Sequence, residues 1–347
     1  MLRLTPLGAT CHLGGVIASV AFRNYKALRG ARLALQPFNL LIGPNGSGKT
    51  SLIQALMRLQ SLAAAPAPAR TRRAGASRAG SPELVFAFTK PYAAMRVRLR
   101  CISEVSCDLL EVTPARARHW PALRRALGGI RAYHFDHRSM HQPGARADGA
   151  ELTANGGNLA AVLHRLQALA PAAFAQLQGE LARIIPEFGR IEFSVPNRTQ
   201  VEFGLRLADG SELVRAEDLS QGTLYVLGML AVVFDPEPPP VVCLEEIDRG
   251  IHPRLLREVR DLLYRLSYPA AFADQRAPVQ VIATTHSPYL LDLFREHPEE
   301  IVITHKHGNR AGFERLTDRT DLKELLSEGS LGDMWFSGIL GGVPDEP

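Results

Sequence analysis

The stretch Gly43-Pro44-Asn45-Gly46-Ser47-Gly48-Lys49-Thr50 decides the fold of this 347-residue chain, because it fits the pattern G-x-x-x-x-G-K-[ST] at every position. The apolar run Phe38–Ile42 before it has strand character, and residues 50–59 after it have helical spacing. Glycines at these positions let the backbone wrap tightly, so that its N–H groups and the helix N-terminus face an anion. The stretch therefore predicts a phosphate-binding loop between a strand and a helix.

Two side chains of this loop carry the chemistry expected of it. Lys49 supplies a point charge to the terminal phosphates of a nucleotide, and the Thr50 hydroxyl can ligate Mg²⁺. The competing interpretation, a chance glycine turn before a helix, leaves the matching flanking elements unexplained. The nucleotide-binding residues predicted here are Gly43, Pro44, Asn45, Gly46, Ser47, Gly48, Lys49, Thr50 and Ser51.

A pair of carboxylates follows a second apolar strand, predicted at residues 241–245. The strand ends in Glu245 and Glu246, and a buried strand of this kind delivers carboxylates beside a nucleotide. We expect Glu245 to hold Mg²⁺ through water, and Glu246 to orient and polarise the attacking water. The alternative is an ordinary strand end with two solvated acids.

Three further pieces lie in the same part of the chain. Ser220 and Gly222, in the stretch LSQG, precede an apolar helix. A Ser-x-Gly at a helix start can clamp a γ-phosphate, although simple capping explains it as well. Asp248 follows the acidic pair, and His286 follows a predicted strand at residues 279–284. A histidine there can sense a γ-phosphate or have a structural role.

The remaining pattern is that of an α/β fold. The unit of strand 241–245, helix 253–266 and strand 279–284 favours parallel strands joined by a right-handed crossover. The sequence shows no internal repeat and no heptad array. The other predicted strands are residues 16–22, 84–88, 95–101, 108–112 and 201–207, and the other predicted helices are residues 157–170 and 171–185.

The order of these motifs resembles that of the ABC-type ATPases and, within that class, the compact RecF/SMC/OLD-like group of AAA-family ATPases without coiled-coil arms. Further stretches that carry the resemblance are FRNYKALRGARLAL at residues 22–35, EEIDRGIHPRLL at 245–256 and ATTHSPYLLDLF at 283–294. Three positions depart from the pattern. Glu245 stands where Asp is usual, Thr223 stands where Gln is usual, and Ile247-Asp248 replaces the frequent Pro-Glu.

The resemblance implies a P-loop NTPase fold of the ABC-ATPase type, with a mixed, largely parallel sheet flanked by helices and an inserted helical lobe. It implies ATP and Mg²⁺ as cofactors and hydrolysis of ATP to ADP and phosphate as the reaction. The catalytic residues would be Glu246, His286 and Lys49, and the metal-binding residues Thr50 and Glu245.

The resemblance also implies a homodimer that encloses two ATP molecules. Each nucleotide would lie between the phosphate loop of one protomer and Ser220, Gln221 and Gly222 of the other, with Asp248 at the seam and Asn24 near the base or sugar. The glutamine that usually links such a site to the inserted lobe is not evident. By position, Asp136, His137 or Ser139 could replace it, and Gln142 is an alternative.

The same region contains four residues that could suggest a metal cluster: His134, Asp136, His137 and His141. A strand end followed by a loop explains them more simply. On the resemblance the chain divides into an N-terminal part of the ATPase core (1–60), a flexible insertion (61–82), a basic strand-rich part of the core (83–148), a helical lobe (149–200) and a C-terminal part of the core (201–347).

The net charge of +5 is unevenly spread, since residues 70–146 are strongly basic and the rest is net acidic. In MRVRLRC at 95–101 apolar residues alternate with arginines, which predicts one buried face and one row of guanidinium groups. Such groups bind DNA phosphates without reading sequence. An acidic protein partner or a merely solvated face fits equally. The possible DNA or partner surface consists of Arg96, Arg98, Arg100, Arg124 and Arg125.

The roles of the group imply work on DNA or on a separate effector, a nuclease or a toxin, in DNA repair or anti-phage defence. We expect that effector to be another chain, because no nuclease region is recognisable after the ATPase motifs. An ATP-clamped scaffold with little turnover, which binds or sequesters its partner, is the first alternative. A transporter ATP-binding subunit is less favoured.

Apolar runs and cysteine usage bear on where in the cell the protein is expected. No apolar stretch approaches the roughly 20 residues of a membrane span. The four cysteines, Cys11, Cys101, Cys107 and Cys243, lack the spacing of a disulfide framework or a metal site, which predicts free thiols and a cytoplasmic protein.

Overall fold

The computed structural model describes residues 15–65, 80–148 and 151–341. Its centre is a six-stranded sheet, with strands and helices numbered along the chain. From one edge to the other the order is β15 (Arg310–Arg315), β14 (Ile301–His307), β3 (Phe38–Ile42), β13 (Gln280–Thr285), β12 (Val241–Leu244) and β7 (Arg131–Tyr133). The edge strand β15 is antiparallel to its neighbour, and the other five strands are parallel.

The three central strands are buried along their whole length because both faces of the sheet are covered. Every residue of β3, β12 and β13 is buried, as continuous apolar runs in a parallel sheet require. Alternate residues serve opposite faces: Leu40 and Ile42 belong to one apolar cluster and Leu41 to the other.

An antiparallel sheet and two helices cover the face of Leu41. The helices are α1 (Lys49–Ala64) and α2 (Trp120–Gly128). The sheet has the order β2 (Arg32–Ala34), β1 (Ile17–Arg23), β4 (Glu83–Phe88), β5 (Arg96–Ser103) and β6 (Ser106–Thr113). Its residues Ile17, Val20, Phe86 and Val97 pack with Leu52 and Leu56 of α1 in one cluster.

Four helices cover the opposite face. They are α4 (Leu159–Leu169), α5 (Pro171–Ile184), α6 (Gln221–Val233) and α7 (Leu256–Ser267), and they share one apolar cluster. In α6 every residue from Gly222 to Val233 is buried. A small sheet joins this layer, formed by β8 (Gly144–Ala145), β9 (Phe188–Ser194), β10 (Gln200–Leu207) and β11 (Leu213–Arg215). The remaining α-helices are α3 (His137–Met140), α8 (Pro288–Asp292), α9 (Leu322–Glu328) and α10 (Leu331–Phe336).

The α/β fold class is confirmed, and most predicted elements lie within two residues of their observed bounds. Helix α1 is an exception, since it runs to Ala64 and so into the predicted insertion. Arg124 explains the extra turn, because its guanidinium donates hydrogen bonds to the carbonyl oxygens of Ala63 and Ala65, groups that a helix end leaves without partners. Most of the insertion, residues 66–79, lies outside the described residues.

The segment 149–200 also differs from a purely helical lobe. Helices α4 and α5 occupy its first part, but β9 follows and pairs antiparallel with β10. The apolar positions Phe188 and Ile191 of this strand join the cluster of α5 and α6. The helices are therefore built onto a small sheet and share their core with α6.

The prediction of free thiols is wrong for two cysteines. Cys101 and Cys107 lie opposite each other across the β5–β6 hairpin and form a disulfide. A spacing of six residues does not reveal this pairing, because it depends on the hairpin register. Cys243 is a free, buried thiol on β12, as predicted, and Cys11 lies outside the described residues. The disulfide removes one ground for inferring a reducing compartment.

Within the described residues, no helix has both the length and the apolar character needed to cross a bilayer.

Candidate nucleotide-binding site

Three neighbouring strands end at one edge of the central sheet and bring together side chains that are far apart in the sequence. Strand β3 leads into the loop 43–48, β12 leads into Glu245 and Glu246, and β13 ends at Thr285, next to His286. Parallel neighbours present their carboxyl ends at the same edge, which is where α/β sheets bind ligands. The three strand-end motifs of the sequence therefore lie side by side.

The loop between β3 and α1 is shaped by its glycines and held by β14. Gly46 and Gly48 have φ angles of 73° and 105°, in the left-handed region that glycine adopts at little cost. Gly43 lies so close to Thr304 of β14 that a Cβ would overlap the threonine hydroxyl. Thr304 Oγ1 is also 2.5 Å from Ser47 Oγ. Thr304 therefore supports the loop at two points.

The loop presents its outer part to solvent and buries its base. Asn45, Gly46 and Thr50 are exposed, Pro44 and Ser51 are half-buried, and the remaining predicted loop residues are buried: Gly43, Ser47, Gly48 and Lys49.

Lys49 spans the loop from the first residue of α1. Its Nζ donates hydrogen bonds to the carbonyl oxygens of Gly43 at 2.6 Å and Pro44 at 3.0 Å. Burial lowers the pKa of Lys49 to about 8, while the charges of Glu246 and Glu245 act in the opposite direction. A phosphate group would exchange these carbonyl contacts for stronger charge-assisted hydrogen bonds.

Thr50 and Glu245 are the two residues that could hold Mg²⁺ between the phosphate loop and the end of β12. Thr50 Oγ1 donates a hydrogen bond of 3.0 Å to Glu245 Oε2. Neighbouring oxygens of an octahedral Mg²⁺, each about 2.1 Å from the ion, are separated by about 3.0 Å. The spacing therefore also suits direct ligation by the longer Glu245, which differs from the water-mediated contact expected from the sequence.

Glu246 adopts a backbone conformation that is uncommon for its type. Its φ is 53°, and its backbone N–H donates to Thr284 Oγ1 at 2.9 Å. Arg249 Nη1 lies 3.6 Å from Glu246 Oε2. Strained backbone at a non-glycine residue persists where the surroundings hold it, and such positions cluster at functional sites. No local pattern in the sequence predicts the contributions of Thr284 and Arg249.

Thr285 connects two predicted site residues: it precedes His286 in the chain, and its hydroxyl contacts Asp248. Thr285 Oγ1 donates to Asp248 Oδ1 at 2.6 Å and accepts from the backbone N–H of Ser287 at 2.9 Å. Burial lowers the pKa of His286, with a further contribution from the positive charge of Lys49, and Asp248 and Glu246 oppose the shift. The imidazole is therefore neutral at pH 7, with a nitrogen able to donate and another able to accept.

Ser220 caps α6 at the surface. The residue is exposed, and its Oγ accepts a hydrogen bond of 3.1 Å from the backbone N–H of Thr223. Gly222 packs so tightly on the Gly250 carbonyl oxygen that a Cβ would lie 2.6 Å from it. Gln221 Nε2 donates to the hydroxyl of Tyr225 at 3.0 Å. The start of this helix is thus built against the segment that follows Asp248.

Asn24 lies in a turn beside the phosphate loop. Its φ is 51°, and its Nδ2 donates to the Gly80 carbonyl oxygen at 3.2 Å. Leu28 of the same turn lies 3.0 Å from the place where a Cβ would project from Gly48.

His134 directly follows β7 and lies beside the two carboxylates. It lines a small pocket together with Glu245, Glu246 and Arg249, and its Nε2 is 3.3 Å from Arg249 Nη1. The residues that the sequence suggested in place of the missing glutamine form hydrogen bonds within their own segment. Asp136 caps α3 by accepting from Ser139 N at 3.0 Å and Oγ at 2.6 Å, and Gln142 donates to the Arg138 carbonyl. No metal-binding cluster of His, Cys, Asp and Glu is found in the described part of the chain.

Most of the predicted basic surface is occupied by contacts within the protein. The alternation in β5 is as predicted, with Val97 and Leu99 buried. Arg98 pairs with Glu83 at 3.2 Å and Arg100 with Glu111 at 3.2 Å, on the two neighbouring strands. Arg96 donates to two nearby carbonyl oxygens, and Arg124 caps α1. Arg125 is exposed, as are Arg116 and Arg118 close by.

Two family models match parts of the chain. Residues 129–292 match the family described as "AAA domain, putative AbiEii toxin, Type IV TA system", and residues 16–70 match the "AAA ATPase domain" family. The two matches together include the phosphate loop, the LSQG stretch, the paired glutamates and His286. No curated protein matches the chain.

Solved structures of SMC head domains share the fold. The SMC head bound to the C-terminal winged-helix domain of ScpA superposes with a TM-score of 0.58 at 13% identity, over 86% of this chain and 96% of that one. The SMC head from Thermotoga maritima gives 0.51 at 13% identity, over 86% and 98%. The Smc head from Pyrococcus furiosus, with an extended coiled coil and bound to the C-terminal domain of ScpA, gives 0.54 at 13% identity, over 90% and 99%.

The fold is that of ABC-type P-loop ATPases such as the SMC heads, and the two matched family models describe AAA-type ATPase domains. The resemblance to SMC- and ABC-like ATPases is thereby confirmed.

Proposed function

We propose that this protein is a switch that binds and hydrolyses ATP, closes as a homodimer around two nucleotides, and transmits its state to a separate effector protein. The observation that carries this proposal is the contact of Thr50 with Glu245, at 3.0 Å, beside Lys49 and Glu246. It joins the phosphate loop to the acidic strand end within one site.

Each residue of the site has a task in this proposal. Lys49 and the N-terminus of α1 bind the phosphates, and Thr50 and Glu245 would hold Mg²⁺, which neutralises phosphate charge when bound. Glu246 accepts a proton from the attacking water. Neutral His286 donates a hydrogen bond to the γ-phosphate. The hydrogen bond from the backbone N–H of Glu246 to Thr284 Oγ1 and the bond from Thr285 Oγ1 to Asp248 support the positions of these groups.

The exposed start of α6 supports the dimer. Ser220 is exposed at the N-terminus of a 13-residue helix whose other residues are buried after Gln221. A helix N-terminus and a serine hydroxyl suit an anion, so that a γ-phosphate brought by a second protomer would complete the contact. One set of motifs per chain then gives two equivalent sites in a two-fold dimer.

An effector protein is favoured over DNA as the target. Arg98 and Arg100 already have carboxylate partners, which reduces the charge that this surface could offer to phosphates. The name of the matched family, which refers to a toxin and to a toxin–antitoxin system, is compatible with an effector in anti-phage defence. DNA remains the second candidate on one observation: Arg116, Arg118 and Arg125 are exposed and carry no ion pair among the described residues.

Glu246→Gln tests the ATPase and the dimer together. Phosphate release should fall to background in the variant, while light scattering with ATP and Mg²⁺ should show a stable dimer, because the nucleotide binds but the water is not activated. Glu237→Gln, at an exposed site on the loop before β12, is the matched control and should behave as wild type. Absence of phosphate release from the wild type would contradict the proposed ATPase activity and favour a clamp with little turnover. If light scattering shows only monomers in the presence of ATP, the proposed dimer is contradicted.

A further inference from the structure

A second lysine lies at the phosphate loop, on a strand that the motifs do not include. Strand β14 runs parallel to β3, with Ile303 opposite Ile42, so it continues along the loop after β3 has ended. Thr304 and Lys306 are two residues apart and therefore project from the same face of β14. Thr304 contacts Gly43 and Ser47 at the base of the loop.

Lys306 reaches the outer part of the same loop. Its Nζ lies 3.5 Å from the place where a Cβ would project from Gly46, and its Cδ and Cε lie 3.9 and 4.0 Å from that place. The side chain therefore follows the open face of the glycine, where a larger residue would displace it. The ammonium group ends beside the part of the loop that is exposed to solvent.

The charges around Lys306 favour the binding of an anion. The exposed side chain forms no ion pair with the described residues, whereas its neighbour His305 pairs with Glu314 at 3.0 Å. Lys49 and the N-terminus of α1 already make this loop electropositive. A further ammonium beside it is unfavourable in the free protein and favourable once a polyanion is bound.

We propose that Lys306 supplies a second cation to the phosphate chain of a bound nucleoside triphosphate, from the side of the loop opposite to Glu245 and Glu246. This inference rests on the proposed ATP-binding function of the loop. Lys306 acts through its positive charge and the length of its side chain, so its contribution to affinity grows with the number of phosphates in the nucleotide.

Four variants test the inference. Lys306→Met keeps most of the side-chain length and removes the charge, and Lys306→Arg retains the charge. Lys323→Met, at an exposed position of α9, is the matched control. Lys49→Ala tests the loop itself. The affinities for ATP, ADP and AMP are measured with fluorescent analogues, at protein concentrations where light scattering shows monomers.

We expect Lys306→Met to weaken ATP binding about tenfold, ADP binding less and AMP binding least, with near-normal values for Lys306→Arg and Lys323→Met. The affinity of Lys306→Met should also depend less steeply on salt. ATP affinity within about twofold of wild type in Lys306→Met would overturn the inference, provided that Lys49→Ala loses binding. Unchanged affinity with loss of the ATP-induced dimer would assign Lys306 to the partner protomer and would also overturn it. Normal ATP binding by Lys49→Ala would instead overturn the proposed function.

Discussion

Thr50 Oγ1 donates a hydrogen bond of 3.0 Å to Glu245 Oε2, across 195 positions of sequence. The bond connects the first turn of α1 to the end of β12, two elements that flank the nucleotide in the proposed function. Glutamate is one methylene longer than the aspartate usual at this position, and here the extra length still leaves its carboxylate beside the threonine hydroxyl. The departure from the family pattern therefore does not remove the pair of oxygen ligands.

Glu245→Gln should raise the Mg²⁺ concentration needed for half-maximal ATP hydrolysis by about tenfold or more, because an amide oxygen is a weaker ligand for a hard cation. Titration of Mg²⁺ in a phosphate-release assay measures the shift. ATP binding in the presence of a chelator should be unchanged, since Lys49 and the loop backbone remain. An unchanged Mg²⁺ requirement would contradict the role given to Glu245.

The pKa of Lys49 makes ATP affinity depend on pH. Burial lowers this pKa to about 8 in the free protein, and a bound triphosphate favours the charged form. Affinity should therefore be constant well below pH 8 and should fall by about fivefold between pH 8 and 9, with proton uptake on binding. Calorimetry in buffers of different ionisation enthalpy measures both. A constant affinity from pH 7 to 9.5 would show that Lys49 keeps its ordinary pKa or lies away from the phosphates.

The strands and motifs of the site could be predicted from sequence because they carry local signals. The loop 43–48 has a fixed spacing, and β3, β12 and β13 are apolar runs that a buried parallel sheet requires. Thr304 and Lys306 had no such signal, because their role depends on β14 lying beside β3 in the sheet. The same applies to Arg249 and His134, which meet only after β7 and β12 have paired.

In the basic segment, too, the sequence predicts burial but not the ion-pair partners of the exposed side chains. The alternation in β5 correctly predicts which residues are buried, but the partners of the exposed arginines come from β4 and β6. Glu83 and Glu111 reach Arg98 and Arg100 only through strand register. A count of charges along the sequence therefore overstates the charge available to a ligand.

Two triple variants distinguish a DNA-binding surface from a set of internal ion pairs. If DNA binds this region, Arg116, Arg118 and Arg125 changed together to Gln should weaken binding and reduce its salt dependence, because these side chains are exposed and without ion pairs among the described residues. Arg96, Arg98 and Arg100 changed together should have a smaller effect, because their guanidinium groups have partners. Fluorescence anisotropy with duplex DNA at several salt concentrations measures both. Equal and negligible effects would remove DNA as the second candidate.

Glu300 should make the stability of the fold depend on pH. The carboxyl is buried and accepts hydrogen bonds from Tyr264 and Tyr268, and burial raises its pKa to about 7. A pKa raised above that of the unfolded chain gives a contribution that is complete below about pH 4.5 and is lost as pH rises through about 7. The span of the pKa corresponds to at most about 3.5 kcal/mol of stability.

Glu300→Gln removes the titrating group while retaining a hydrogen-bond acceptor. Between pH 5 and 8, urea unfolding should show a smaller loss of stability in this variant than in wild type. Glu296→Gln, at an exposed carboxyl four residues earlier, is the neighbouring control and should keep the wild-type pH profile. Identical pH profiles for Glu300→Gln and wild type would contradict the buried, protonated carboxyl.

In the proposed function each ATP site is shared between two protomers, with Lys49 and Glu246 from one and Ser220 from the other. Lys49→Ala and Ser220→Arg should each lack ATPase activity alone. In a heterodimer of the two, one site combines an intact phosphate loop with an intact Ser220. As a control, Lys49→Ala is mixed with Glu246→Gln, whose defects lie in the same half of the site, so that no heterodimer contains an intact one.

The decisive measurement is phosphate release from equimolar mixtures of these variants. A mixture of Lys49→Ala with Ser220→Arg should recover about a quarter of wild-type activity, since half of the dimers are mixed and each has one working site. The control mixture should stay at background. Activity that fails to recover in the first mixture, while light scattering shows that mixed dimers form with ATP, would contradict the shared site.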